Sequence, residues 1–215
     1  GDVVVTRWLA NKIVKKENAL AAINGGFFNS RGVPLGLVMI EGKVITDSIY
    51  NRSAIGITSE KEILFNNITW QGLINKDIKI HKVNKKPGLD EIAIINKFYG
   101  KNILINTSKV KIIVVRNNII SNIINSESTK NKKIDIPVQG KVILASGNSR
   151  KKLKNLKMGS EINIENEFTP KWEEKELISI IQAGPNLLTE VNVDITAEKE
   201  KFQPDVVRGR APRSA

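Results

Sequence analysis

Apolar positions in this chain fall in short runs rich in isoleucine and valine, broken by asparagine or glycine. Runs of this length and composition predict strands over residues 68–73, 78–83, 91–95, 111–116, 119–123, 141–145, 162–165 and 177–182. Two further pairs of runs, 35–40 with 44–45 and 54–58 with 62–65, flank Glu41-Gly42-Lys43 and Ser59-Glu60-Lys61 and read as hairpins. Asn117-Asn118 tolerates positive φ and suits a tight turn between its neighbouring strands. Short strands are also expected at Val3-Val4-Val5 and Ala21-Ala22-Ile23.

Helical spacing is scarcer. Leu9 with Ile13, and Ala10 with Val14, repeat at i,i+4 and predict a helix from Thr6 to about Asn18. A lysine-rich helix is expected over 149–157, with Leu153 and Leu156 facing inward and Gly159 ending it. The polar stretch 126–133 reads as a mobile loop. Strands outnumber helices and short turns join them. The expected class is therefore α+β: a single domain with a large mixed or antiparallel β-sheet and a few flanking helices.

Composition narrows the chemistry. A chain of 215 residues suits one sizeable domain, and no apolar run approaches the roughly 20 residues that span a bilayer. Cysteine is absent, which removes disulfides, thiol nucleophiles and thiolate metal sites. The chain opens at Gly1 with no charged-then-apolar leader before Asp2, and it carries no Pro/Gly/Ser linker and no tandem repeat. The formal net charge of +12 favours polyanionic partners, with lysines grouped at Lys130, Lys132 and Lys133 and again from Arg150 to Lys157. Aromatic residues do not interleave with these groups as a base-stacking surface requires, so nucleic acid is not the expected partner. The single histidine, His81, sits in a strand pattern and reads as a solvent-facing residue, which gives no support to a Ser/His/Asp triad or a histidine metal site.

Three stretches carry candidate chemistry. Asn24-Gly25-Gly26-Phe27-Phe28-Asn29 follows a strand. Its glycines permit close backbone approach, its asparagines offer donors and acceptors suited to a sugar, and Phe27 and Phe28 suit either a pocket wall or plain core. Ala183-Gly184-Pro185-Asn186-Leu187-Leu188 is a second backbone-exposing turn at a strand end. Arg208, Arg210 and Arg213, with Pro212 stiffening the chain, form either a forked phosphate grip or a basic tail.

In this order the three stretches resemble the phosphodiester glycosidase family, typified by the enzyme that uncovers mannose-6-phosphate. The matching blocks are Ala22 to Phe28, Pro34 to Gly36 with Gly42-Lys43, Ala183 to Leu187, and Arg210 to Ala215. The likeness runs from about Leu20 to Ala215 and is loose through the middle third. Small departures are Ala183 for glycine and Ser214 for threonine. The family continues past the last block into a strand, a helix and an Asp-Gly-Gly-Gly-Ser motif, so the expectation is a domain cut short after Arg210-Ala211-Pro212-Arg213-Ser214-Ala215.

The resemblance implies hydrolysis of a sugar-1-phosphodiester of the N-acetylglucosamine type, on cell-wall or exopolysaccharide substrates, in an extracellular or cell-envelope setting. The alternative is a non-catalytic carbohydrate- or polyanion-binding module of the same fold. Phosphate is a good leaving group, so a protonating carboxylic acid is needed less than in ordinary glycosidases. Positive charge on the departing phosphate and a polar cradle around an oxocarbenium-like sugar are needed more. Arg210 and Arg213 are then expected at the phosphate and Asn24 at the reacting sugar. Gly25, Gly26, Phe27, Asn29, Gly184 and Asn186 are expected around the substrate. Glu190 and Asp194 lie near the second turn but read as turn-capping residues, and the aspartate of the family's last motif is the expected carboxylate. No residue is assigned to a metal, and the sequence leaves the cofactor open.

Overall fold

The computed structural model describes residues 10–20, 22, 25–30, 32–107, 109–125 and 131–209. From the N-terminal side the strands are β1 (Val38–Ile40), β2 (Lys43–Thr46), β3 (Arg52–Thr58), β4 (Ile63–Ile74) and β5 (Ile78–Ile80). Then come β6 (Lys82–Val83), β7 (Ile92–Asn96), β8 (Asn102–Ile105), β9 (Val110–Arg116) and β10 (Ile119–Ile124). The remainder are β11 (Lys132–Asp135), β12 (Gly140–Ser146), β13 (Ile164–Thr169), β14 (Leu177–Gln182), β15 (Leu188–Thr189) and β16 (Asn192–Val193). Helices α1 (Ala10–Glu17) and α2 (Pro204–Arg208) are short. The fold is mostly β with few helices, in line with the α+β expectation.

The single large sheet expected from the sequence is instead two principal sheets. One has seven strands, ordered β13-β4-β3-β14-β1-β2 with β5 also on β4, and the other has five, ordered β10-β9-β12-β7-β6. Pairing is antiparallel except between β6 and β7. The chain changes sheets at His81: β5 pairs with β4, and β6 pairs with β7. His81 is half-buried at this break. Its backbone N–H donates to Ile92 O at 2.8 Å and its side-chain Nδ1 accepts from Ile92 N–H at 3.0 Å, so the solvent-facing strand reading is corrected.

The five-stranded sheet is covered on both faces, which explains its unbroken apolar runs. Ile92, Ile94, Ile113, Val115, Ile143 and Ala145 face the core shared with Ile74 and Ile80 of the first sheet. Ala93, Ile95, Ile112, Val114, Val142 and Leu144 face a second core closed by the β8–β11 ribbon. A third core lies on the seven-stranded sheet, where Leu37, Ile68, Phe168, Trp172 and Ile180 meet.

Several local expectations change. The runs expected as two strands, 62–65 and 68–73, are joined in one twelve-residue strand, β4 (Ile63–Ile74), which pairs with β3 in its first half and with β13 in its second. The region 149–157 is a 3-10 helix over Gly147–Leu153, although Leu153 is fully buried and Leu156 packs beside it as expected. Lys132 and Lys133 lie in β11 rather than in a loop. The turn at Asn117-Asn118 has the positive φ values its residues suggest, and the expected hairpin around Glu41-Gly42-Lys43 joins β1 to β2. The strands expected at 3–5 and 21–23 lie outside the described residues, wholly or in part.

Candidate functional site

Strand β14 ends in Gln182, a buried amide that ties four chain segments together. Its Oε1 accepts from Leu37 N–H at 3.1 Å and Ile49 N–H at 2.9 Å, while its Nε2 donates to Ile68 O at 2.8 Å and Arg52 O at 3.3 Å. A buried amide with both ends satisfied specifies one arrangement of the strands around it. Pairing with β3 then continues for one more residue, through Ala183 N–H to Ser53 O at 2.9 Å.

At this corner the two glycine-bearing stretches meet. A methyl group on Gly26 would lie 2.6 Å from the Gln182 carbonyl oxygen, closer than a side chain can approach. The backbone of 25–28 therefore runs directly over the end of β14. Gly184 turns the chain with φ +82°, and a methyl there would collide with the Glu200 carboxylate. Both positions require glycine for contact reasons that spacing alone does not reveal.

Glu200 is the second hub. It is 1 % exposed, and its carboxylate accepts from Ser53 N–H at 2.8 Å, Ser53 Oγ at 2.6 Å, Asn186 N–H at 3.0 Å and the Thr196 hydroxyl. Burial pushes its carboxyl pKa up, but the donors from Ser53, Thr196 and Asn186 together outweigh burial and hold it below the ordinary value. Arg52 lies beside it, buried, with Nε donating to Glu200 O at 3.0 Å and Nη2 to Lys201 O at 3.0 Å. Its guanidinium stands 3.9 Å from the centre of the Phe202 ring, and that ring is 5.4 Å from Phe27. Burial lowers the Arg52 pKa, against the opposing pull of Glu200 and Tyr50.

Among the expected substrate residues, Gly26, Phe27 and Gly184 are thus brought together at this corner. Gly25 lies beside them with open space where a side chain would project. Phe27 serves as packing against Phe202. Asn29 shapes the next turn: its Oδ1 accepts from Val33 N–H at 3.1 Å, and its backbone pairs with Val33 and Gly32. Asn186 is also engaged locally, with its Nδ2 donating to Thr189 Oγ1 at 3.0 Å. Glu190 is exposed with φ 56° in the β15–β16 turn, and Asp194 accepts from Thr189 Oγ1 at 3.0 Å, as turn residues would. Asn24, Arg210 and Arg213 lie outside the described residues. Helix α2 begins two residues after Phe202 and runs to Arg208.

Sequence reasoning missed Glu200, Arg52 and Gln182. Glu200 sits in Thr-Ala-Glu-Lys-Glu-Lys, a run that reads as solvated surface. The one available signal was the tripeptide Arg52-Ser53-Ala54, repeated at 213–215, whose first copy supplies both partners of the Glu200 segment.

No family model matches the chain, and no curated protein does. Two solved structures share its fold. One is a hypothetical protein from Synechocystis, with TM-score 0.79 and 22 % identity, covering 98 % of this chain and 40 % of that one. The other is a candidate exported protein from Burkholderia pseudomallei K96243, with TM-score 0.64 and 15 % identity, covering 88 % of this chain and 46 % of that one. The chain spans less than half the length of either, and at these identities the likeness is one of fold.

Proposed function

We propose that this chain forms the sugar-binding body of an enzyme that hydrolyses sugar-1-phosphodiesters of the N-acetylglucosamine type, on cell-wall or exopolysaccharide material outside the cytoplasm. The observation that carries the reading is the meeting of Gly26 and Gly184 at the Gln182–Glu200 corner. Two of the stretches that resemble the phosphodiester glycosidase blocks, far apart in the chain, share this one corner. The resemblance to an exported protein supports the extracellular setting in outline.

In this reading the rigid backbone at Gly25-Gly26 and Gly184 cradles the sugar, with Asn24 at the reacting centre. Arg210 and Arg213 neutralise the departing phosphate, where a forked donor pair stabilises developing charge. Glu200 is not the base, because its oxygens are already taken by four donors. It positions the turn instead. The carboxylate that activates water comes from elsewhere, as the family's last motif suggests.

That saturation of Glu200 also favours a second reading, a non-catalytic glycan-binding module of the same fold. Incubating the full protein with an N-acetylglucosamine-1-phosphodiester and measuring free sugar separates the two. Release that is lost on Arg213→Ala supports hydrolysis, and saturable binding without release supports the module.

A further inference from the structure

A second site lies at the other end of β1. Val38 pairs with Ile181 next to the Gln182 corner, whereas Gly42 and Lys43 at the opposite turn border an open cleft of about 650 Å³ between the two sheets. Val44, Ile80, Val83 and Ile94, all buried, make its apolar floor. Asn96 ties the walls together: its Nδ2 donates to Val44 O of β2 at 3.4 Å, and its Oδ1 accepts from Asn84 Nδ2 at 2.8 Å.

The lining is chemically one-sided. Lys43, Lys97 and Lys141 border the cleft with five side-chain amides, and among the described residues that line it there is no aspartate, glutamate or arginine. The ammonium of Lys141, half-buried, reaches Asn118 Oδ1 at 3.5 Å, and Lys97 lies 5.4 Å from the Phe98 ring. Lys43 is 4.0 Å from Glu41, an exposed residue outside the cleft. Trp70 Nε1 donates to Asn166 Oδ1 at 3.0 Å, which fixes the NH2 end of that amide as a donor. Burial disfavours the charge on Lys141, and an anion in the cleft would restore it.

We infer that this cleft binds an anionic oligosaccharide, with the lysines taking its acidic groups and the amides its hydroxyls. Adjacent donor and acceptor atoms on Asn117 and Gln139 match vicinal hydroxyls, and the side-chain NH2 groups of Asn118 and Asn166 add donors. A single-strand nucleic acid site would instead present a succession of aromatic platforms. The inference is independent of the hydrolytic reading, since it concerns different residues and requires no turnover.

The test is calorimetric titration with a short sulfated dextran, which contains no phosphodiester, beside neutral dextran and a thymidine oligonucleotide of similar length. Saturable binding to the sulfated sugar alone is expected, weakened about tenfold by the pair Lys97→Ala and Lys141→Gln. The exposed pair Lys151→Gln and Lys152→Gln, outside the cleft, should leave it within about twofold. Lys97→Ala alone serves if the half-buried position proves structural. The inference is overturned if no binding is seen, if neutral dextran binds equally, if both lysine pairs weaken binding alike, or if the oligonucleotide binds more tightly.

Discussion

Ser53 and Glu200, 147 positions apart, are joined twice: the Ser53 N–H reaches one carboxylate oxygen at 2.8 Å and its hydroxyl reaches the other at 2.6 Å. This double contact attaches the loop after Thr196 to the start of β3, and through Asn186 it also sets the turn after Gly184.

Truncating this hub should therefore be costly. Glu200→Ala leaves the buried donors of Ser53, Thr196 and Asn186 without their acceptor, and a loss of about 3 kcal/mol is expected in urea unfolding. Ser53→Ala removes one donor and should lose about 1 kcal/mol.

The pH dependence follows from the depressed Glu200 pKa. In the folded chain the carboxyl binds its proton at lower pH than in the unfolded chain. Its stabilisation is therefore present above the ordinary glutamate value of about 4.3 and is lost as pH falls through the folded value. Unfolding followed from pH 6 downward should show stability dropping in that acid window, with a shallower drop in Glu200→Gln.

His81 titrates in the same sense but at higher pH. Burial is the main cause of its lowered pKa, and its Nδ1 must stay unprotonated to accept from Ile92 N–H. Below the ordinary histidine value of about 6.5 the unfolded state binds the proton first, so stability falls with acidification. Replacing His81 with Ala should flatten the stability profile between about pH 5 and 7.

The two glycines of the first turn should behave oppositely. A methyl on Gly26 would press on the Gln182 carbonyl, whereas one on Gly25 would meet nothing within 4 Å. Thermal unfolding should show Gly26→Ala destabilised by about 2 kcal/mol and Gly25→Ala changed by less than about 0.5 kcal/mol.

Much of the architecture was legible in the sequence. The strands at Ile92–Asn96, Val110–Arg116, Gly140–Ser146 and Leu177–Gln182 stand out because isoleucine and valine fill both faces or alternate cleanly. Strand β4 was read as two because Asn66-Asn67 interrupts its apolar pattern. In the structure Asn67 stays in the strand and its side chain donates to Asn51 O at 3.0 Å. Strand β11 was hidden by Lys132 and Lys133, which are exposed while Ile134 alone is buried. The glycine turns were visible, but the hubs that hold them were not. Gln182 and Glu200 are polar residues with partners more than 100 positions away, Ile68 and Ser53, and local pattern carries no trace of those.

The hydrolytic reading is tested most directly by the rate of free N-acetylglucosamine release from an N-acetylglucosamine-1-phosphodiester by the full protein. The account predicts measurable turnover that falls by about 100-fold or more in Arg213→Ala, with its unfolding midpoint unchanged. Absence of release from any such diester, or release unaffected by Arg213→Ala, would contradict it.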